Sequence, residues 1–389
     1  MKKCIIISDS FKGTLSSSEI CSIAEDSMSR IFPDCLLCKV PVADGGEGTA
    51  ACFQEVCGGR MVTVTVCDPF GDPVNASYLQ LAGGQAVIEM AAAAGLPLVE
   101  GRKDPRKAST YGVGQLIRHA VEHGNRKILL GLGGSCTNDG GCGCAAALGV
   151  QFFDKDGCAF VPVGETLSAI RHIDLSGAAF LRNVQLTAMC DIDNPMHGPA
   201  GAAYVFAPQK GADPETVAFL DAQLAALDET FRRELGQQVA DIPGAGAAGA
   251  FGAGMSAFFQ AQLRPGIDAV LDLVGFDDML NGCDMVFTGE GRLDTQSVRG
   301  KVLSGVGKMA QKRHVPVIAV VGGITEDAEG ICESGLGISA VFTINRQAVP
   351  FDESKYASRQ NYRWTFDNIL RLIKQSQRID PSAFPAIAQ

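Results

Sequence analysis

No stretch of this chain gathers its lysines and arginines into a basic stripe, and 33 of them against 43 acidic residues leave a formal net charge of −10. The electrostatic footprint of a nucleic-acid binder is therefore missing, and an anionic substrate would have to be met by individually placed cations. No apolar run approaches the roughly 18 residues that a membrane helix needs. The opening MKKCIIISDS has only four apolar residues after its lysines, too few for the apolar segment of a signal peptide. These absences lead us to expect a soluble, cytoplasmic protein with no nucleic-acid and no membrane partner. The 14 cysteines have no framework spacing, so reduced and buried thiols are expected instead of disulfides. None of the five histidines falls in H-E-x-x-H or another recognisable metal pair.

What the chain does have is glycine, 46 of them, clustered beside polar residues at the ends of apolar runs. That distribution suggests backbone shaped around ligands. At 389 residues there is room for two domains. The first strand-like run leads through a polar loop to Ser16 and Glu19, at capping-box spacing, and predicts a helix over about Ser17 to Arg30. CLLCKVPVADGGEGTAACFQEV repeats the strand, loop, helix order, which suggests a parallel sheet. From Met61 to Met90 the alternation has period two, broken by DPFGDP and AGG, and predicts an antiparallel meander that does not readily continue a parallel sheet. Helices are expected around Tyr111 to His123 and over Pro214 to Leu235, and the last third returns to α/β alternation. The layout that follows is a discontinuous, doubly wound α/β domain from residues 1–60 and 280–389, with an inserted α+β domain from 61–279 and a substrate cleft between them.

Five loops that follow apolar runs hold acids, hydroxyls or cations among glycines. DSFKG carries Asp9 and Lys12, ADGGEGT carries Asp44 and Glu47, and GGSCTNDGG carries Ser135, Thr137, Asn138 and Asp139. CDIDNP carries Asp191, Asp193 and Asn194, and TGEGRLDTQSVRGK carries Glu290, Arg292, Asp294, Arg299 and Lys301. Each alone reads equally well as a solvated loop. Together, at the carboxyl ends of strands, they favour an enzyme over a scaffold. No Walker A loop is present, since TQSVRGKV has Thr295 for the first glycine and Val302 for the hydroxyl. Gly244, Gly246 and Gly249 fit G-x-G-x-x-G, but no strand precedes them, so either amides approaching phosphate or plain tight packing is expected there. DIDN is similar to the nucleophile loop of haloacid-dehalogenase-type phosphatases, although Pro195 stands where a Thr or Val would be. Cys142 and Cys144 have no second pair at zinc spacing and read as small packing residues on a helix.

Taken in order, DSFKGTLS, PVADGGEGT, GLGGSCTNDGG, CDIDNP with FAPQKGA, GAGAAGAFGAG and TGEGRLDTQSVRGK closely resemble the type 1 glycerate kinase family over nearly the whole chain. The resemblance implies phosphorylation of D-glycerate with ATP and Mg2+, most simply at the 2-hydroxyl to give 2-phosphoglycerate. The alternatives are the 3-phosphoglycerate product and a haloacid-dehalogenase-like phosphatase. It also implies a Rossmann-like domain with a second domain inserted. Two departures are Cys136, where alanine is usual, and the cysteine-rich GCGC, which raise the question of oxidation near the site.

Phosphoryl transfer asks for position and charge compensation. On that footing Asp294 and Asp191 are the rival candidates for the base, with Lys12 as a catalytic cation. Asp44, Arg292, Arg299, Lys301, Ser135 and Asn138 are candidates for substrate binding, the arginines because their fork suits a carboxylate. Lys210, Gly246, Gly249 and Gly252 are expected at the nucleotide, and Asp193 and Glu290 at the metal. The protein is expected to be a monomer or a homodimer.

Overall fold

The computed structural model describes residues 1–42, 48–294, 301–347 and 349–377, with the backbone alone at 327 and 329. In chain order the strands are β1 (Lys3–Ser8), β2 (Leu36–Pro41), β3 (Arg60–Cys67), β4 (Pro73–Leu81), β5 (Gln85–Glu89), β6 (Lys127–Gly131) and β7 (Gln151–Phe153). They continue with β8 (Ala159–Phe160), β9 (His172–Asp174), β10 (Gln185–Met189), β11 (Gln262–Arg264), β12 (Met285–Gly289), β13 (Val317–Val321) and β14 (Ala340–Thr343). Two compact units result, Met1–Ala43 with Val270–Gln389, and Asp44–Ala269.

The first unit is a doubly wound α/β domain built on a five-stranded sheet in the order β14-β13-β12-β1-β2. Every pairing in it is parallel. Parallel strands buried on both faces should be almost uniformly apolar, and β13, Val-Ile-Ala-Val-Val, is buried throughout. The helix Ser17–Ile31 begins with the capping box that its sequence predicts: Ser16 Oγ accepts from Glu19 N, and the Glu19 carboxylate accepts from Ser16 N at 2.9 Å. Its apolar stripe, Ile20, Ile23, Ala24 and Met28, meets Tyr362, Phe366 and Ile369 of the helix Ser358–Ser376 in one core.

The second unit carries a six-stranded sheet in the order β11-β10-β6-β5-β4-β3. The meander is there, β3 against β4 and β4 against β5, both antiparallel. It does continue into a parallel sheet, contrary to the sequence-based expectation, because β5 pairs in parallel with β6 along its other edge. Reaching β6 from β5 takes a crossover through the helix Tyr111–Glu122, as parallel neighbours require. A small antiparallel sheet, β8-β7-β9, completes the α+β unit. Its core includes Ile88, Leu116, Leu130, Leu186, Leu224 and Phe251. The helix expected over Pro214 to Leu235 is α-helical to Thr230 and widens to π geometry over Phe231–Leu235.

Candidate active site

In the first unit the chain runs outward from β1 to β2, then returns to the other side of β1 to lay down β12, β13 and β14. The β1/β12 boundary is thus the topological switch point, and ligands of doubly wound sheets bind outside the carboxyl ends of strands there. DSFKG and TGEGRLD are the segments that leave those two ends. Asp9 N donates to Gly289 O at 2.9 Å, which joins the two exits. Ser17, buried, donates to Ser8 O at 2.6 Å and accepts from Val42 N at 2.8 Å, so the ends of β1 and β2 are stitched as well. A Cβ on Gly291 would lie 3.1 Å from Phe11 Cα and 3.3 Å from Lys12 N, so a side chain there would push these two closely packed loops apart by a few tenths of an ångström. On its other side the same loop is held by Gly322 N to Glu290 O at 3.0 Å and Leu293 N to Gly323 O at 2.9 Å. From this fixed backbone Glu290 is buried, Lys12 and Arg292 are exposed, and Asp294 has Lys301 Nζ 4.0 Å from its Oδ1. Asp44 and Arg299 lie outside the described residues.

The second unit collects its polar residues in the same way, at the carboxyl ends of β5, β6, β10 and β11. Asp191, directly beyond β10 and exposed, accepts from Gly266 N at 2.7 Å, the first amide of the helix Gly266–Leu273. A helix start favours a carboxylate charge, and this one fixes the orientation of Asp191. Asp193 is exposed two residues further on. Glu89, the last residue of β5, accepts from Ala50 N at 2.7 Å and so occupies the start of the helix Thr49–Cys57.

The loop after β6 is the most buried of the set. Ser135, Thr137, Asn138 and Asp139 are each 5% exposed or less. Asp139 accepts from Thr110 N and Thr110 Oγ1 at 2.8 Å, from Gly143 N at 3.2 Å and from Gly141 N at 3.1 Å. It therefore ties together the starts of the helices Tyr111–Glu122 and Cys142–Ala147. Burial pushes its carboxyl pKa up, and those same donors pull it back. Lys210 reaches the loop from the turn Pro208–Lys210 and donates to Thr137 O at 2.6 Å and Ser135 Oγ at 3.2 Å. Its ammonium is buried, which lowers its pKa to about 8. Thr137 Oγ1 and both amide atoms of Asn138 are buried with no hydrogen-bond partner among the described residues. Burial raises the thiol pKa of Cys136 to about 12 and pushes those of Cys142 and Cys144 well up, so all three are poor targets for oxidation at neutral pH.

The glycine segment serves packing. Gly246, Gly249 and Gly252 are buried, and their missing side chains make room for backbone oxygens of Pro195, Thr137 and Gly244 respectively. Gly246 N donates to Asn194 O at 2.9 Å, so that amide is spent within the protein. Ala248, Gly249 and Ala250 all have left-handed φ, forming a single left-handed turn that presses on Thr137 and Asn138. Of the two readings of this segment, tight packing describes what these three glycines do. The ammonium of Lys210 is buried and committed to the β6 loop.

The structure brings Lys12, Glu290, Arg292, Asp294 and Lys301 to the strand ends of the first unit. Ser135, Asn138, Asp191, Asp193 and Lys210 lie at or beside those of the second. Sequence reasoning missed Glu89 and Thr110. Glu89 had a signal, an acid closing the apolar run QAVIEM. Thr110 had none, since its partner Asp139 is 29 residues away.

Two α/β units that each crowd acids and cations at their strand ends define a ligand-transforming enzyme more readily than a scaffold. Residues 4–374 match the glycerate kinase family. A glycerate kinase of Bacillus subtilis (strain 168) is 42% identical over 355 residues, 90% of this chain and 92% of that protein. A glycerate 2-kinase of Escherichia coli (strain K12) is 40% identical over 372 residues, 95% of each. A crystal structure from Salmonella typhimurium LT2, of a protein assigned as glycerate kinase 2, superposes with a TM-score of 0.85 at 39% identity, covering 97% of this chain and 100% of that one. The chain belongs to the glycerate kinase family.

Proposed function

We propose that the protein transfers the γ-phosphoryl group of ATP to the 2-hydroxyl of D-glycerate, giving 2-phosphoglycerate and ADP. What supports this reading above all is the family match over residues 4–374, with relatives about 40% identical that are named glycerate kinase and, in one case, glycerate 2-kinase. The phosphatase alternative suggested by DIDN has no comparable support.

The chemistry needs the acceptor hydroxyl oriented toward a carboxylate, and an ordinary ionised aspartate suffices because the proton leaves only as the new bond forms. Each unit offers one candidate: Asp191, with its carboxylate held by Gly266 N at 2.7 Å, and Asp294, with Lys301 4.0 Å away. Arg292 would grip the substrate carboxylate with its fork, and Lys12 would offset charge on the transferring group. Ser135 and Asn138 would read the substrate hydroxyls; the amide of Asn138 brings both a donor and an acceptor.

In phosphoryl transfer, magnesium is held by one or two carboxylates plus the nucleotide phosphates instead of an all-protein cage. The residues fit that mode: among the described residues no group of three or more His, Cys, Asp or Glu is placed to hold a metal ion, while Glu290 and Asp193 are carboxylates at strand ends. Glu290 of the first unit and Asp193 of the second are the two candidates to hold the ion, which would neutralise charge on the phosphate oxygens. A cytoplasmic monomer or homodimer is the accompanying expectation, and among the described residues no helix is long and apolar enough to cross a membrane.

The test is to incubate the purified protein with D-glycerate and Mg-ATP and resolve the products by phosphorus NMR. A 2-phosphoglycerate resonance is expected. A 3-phosphoglycerate resonance would overturn the regiochemistry, and phosphoester hydrolysis without ATP consumption would overturn the kinase reading.

A further inference from the structure

We infer that Lys210 is a positioning residue, whose buried ammonium holds the Ser135–Asn138 loop in the shape that phosphoryl transfer uses without itself touching the nucleotide. The inference rests on the reading that this loop meets the substrate. The loop cannot be locked by its own side chains. Thr137 Oγ1 and the Asn138 amide make no hydrogen bond among the described residues. Among the described residues, the backbone bonds along it are Leu96 N to Gly134 O at 2.9 Å, Cys136 N to Ala94 O at 3.0 Å and Gly140 N to Gly249 O at 3.1 Å, which leaves Thr137 and Asn138 outside this set. Lys210 Nζ takes Thr137 O at 2.6 Å and also reaches Ser135 Oγ at 3.2 Å. It thus crosslinks two points of the loop across 73 and 75 residues of chain.

The base that carries Lys210 is firm. Ala202, Ala203 and Ala207 are fully buried, Lys210 N bonds Ala207 O at 3.0 Å, and Asp213 caps the helix Pro214–Thr230 immediately downstream. An apolar side chain of the same length would fill this place at less cost than a buried ammonium. The charge is what the site keeps, and the carbonyl of Thr137 is where it is spent. The titratable groups that face it are the Cys136 thiol and the Asp139 carboxyl, and Asp139 is already occupied by four donors.

Two consequences run in opposite directions with pH. As the ammonium loses its proton near pH 8, its bond to Thr137 O weakens and turnover should fall. For stability, the folded pKa lies at about 8, below the ordinary 10.5, so between those values the unfolded chain holds the extra proton. The contribution of this group to stability therefore rises with pH across that window. A lysine that merely supported the fold would not lower kcat while stability rises.

The experiment compares the full-length wild type with Lys210→Met, measuring kcat and both KM values with Mg-ATP and D-glycerate from pH 6.5 to 9.5, with a thermal melt at each pH. At pH 7 the variant should lose at least tenfold in kcat, with KM for Mg-ATP within twofold of wild type. The alkaline fall of the wild-type kcat should be absent from the variant. Wild-type kcat in the variant overturns the inference, and so does a tenfold rise in KM for Mg-ATP at unchanged kcat, the mark of a nucleotide contact. Should the variant fail to fold, a wild-type kcat that stays flat from pH 7 to 9.5 overturns it as well, and a fall near pH 8 supports it. A wild type that phosphorylates no glycerate would instead sink the functional reading. The clamp would then be judged by hydrogen exchange of the 134–140 amides, which should be faster in Lys210→Met and would overturn it if unchanged.

Discussion

Replacing Asp139 by asparagine changes one atom in the most heavily hydrogen-bonded carboxylate of the second unit. Oδ2 accepts from Thr110 N and Oγ1 at 2.8 Å and Gly143 N at 3.2 Å, and Oδ1 accepts from Gly141 N at 3.1 Å. An asparagine keeps the larger set by placing its carbonyl at the Oδ2 position. Its NH2 then faces the Gly141 N–H, and a buried donor left without an acceptor costs about 1–3 kcal/mol. The other three bonds change from a charged to a neutral acceptor, each losing roughly 1 kcal/mol. Against this, the variant no longer pays to bury a charge, the effect that pushes the Asp139 carboxyl upward. The losses come to about 4–6 kcal/mol; with roughly 2 kcal/mol regained from the charge no longer buried, a net loss of about 3 kcal/mol follows, or roughly a hundredfold in a local opening equilibrium at about 1.4 kcal/mol per factor of ten. The assay is hydrogen exchange read by mass spectrometry on peptides spanning 109–147, because this carboxylate holds the starts of two helices there. Exchange accelerated less than threefold would refute the assignment, since the carboxylate would then not be what secures Tyr111–Glu122 and Cys142–Ala147.

Three further outcomes are expected. Ser17→Ala removes the donor to Ser8 O and the acceptor for Val42 N, both buried; at about 1–3 kcal/mol for each orphaned group, the urea midpoint of the first unit should fall, read through the fluorescence of its one tryptophan, Trp364. Gly249→Ala would set a Cβ 2.1 Å from Thr137 O at a φ of +69°, and with overpacking worth about 1–3 kcal/mol the melting temperature should drop by roughly 5–10 °C, with kcat falling alongside; an unchanged melt would mean that the left-handed turn relaxes freely. Of Asp191→Asn and Asp294→Asn, the one that removes the base should lower kcat by about 10²–10⁴ with the melting temperature kept, and wild-type turnover in either variant removes that residue from the role.

What could be read from the sequence depended on how far apart the interacting groups lie along the chain. The capping box of Ser16 and Glu19 closes within three residues, so its letters announce it. The α/β alternation of the first unit is equally local, because each buried parallel strand must be apolar on both faces whatever its neighbour is. Pairing partners are another matter. Nothing in QAVIEM says that β5 ends a meander on one edge and joins β6 in parallel on the other. At the site, the strand-end rule pointed to loops that do leave the carboxyl ends of strands, but it said nothing of the burial of their members. The burial of Lys210 could not be read from the sequence because its partners Ser135 and Thr137 lie more than 70 residues away. GAGAAGAFGAG read equally as a phosphate loop or as tight packing because glycine makes room for a ligand and for a neighbouring backbone by the same means.

The pairing of β1 with β12 sets Cys4 beside Met285 and Ser8 beside Gly289, the central seam of the first sheet. On a ribosome adding about 5–20 residues per second, the two halves of that seam emerge tens of seconds apart. Through that interval Ile5, Ile6 and Ile7, which end fully buried, have β2 as a partner on one edge and nothing of their own sheet on the other. The inserted unit, contiguous in the chain, has all its strands in hand before β12 is made. The newborn protein therefore has a built-in order of assembly, insert before host, and its period of greatest exposure to aggregation is the wait of its first strand for its last third.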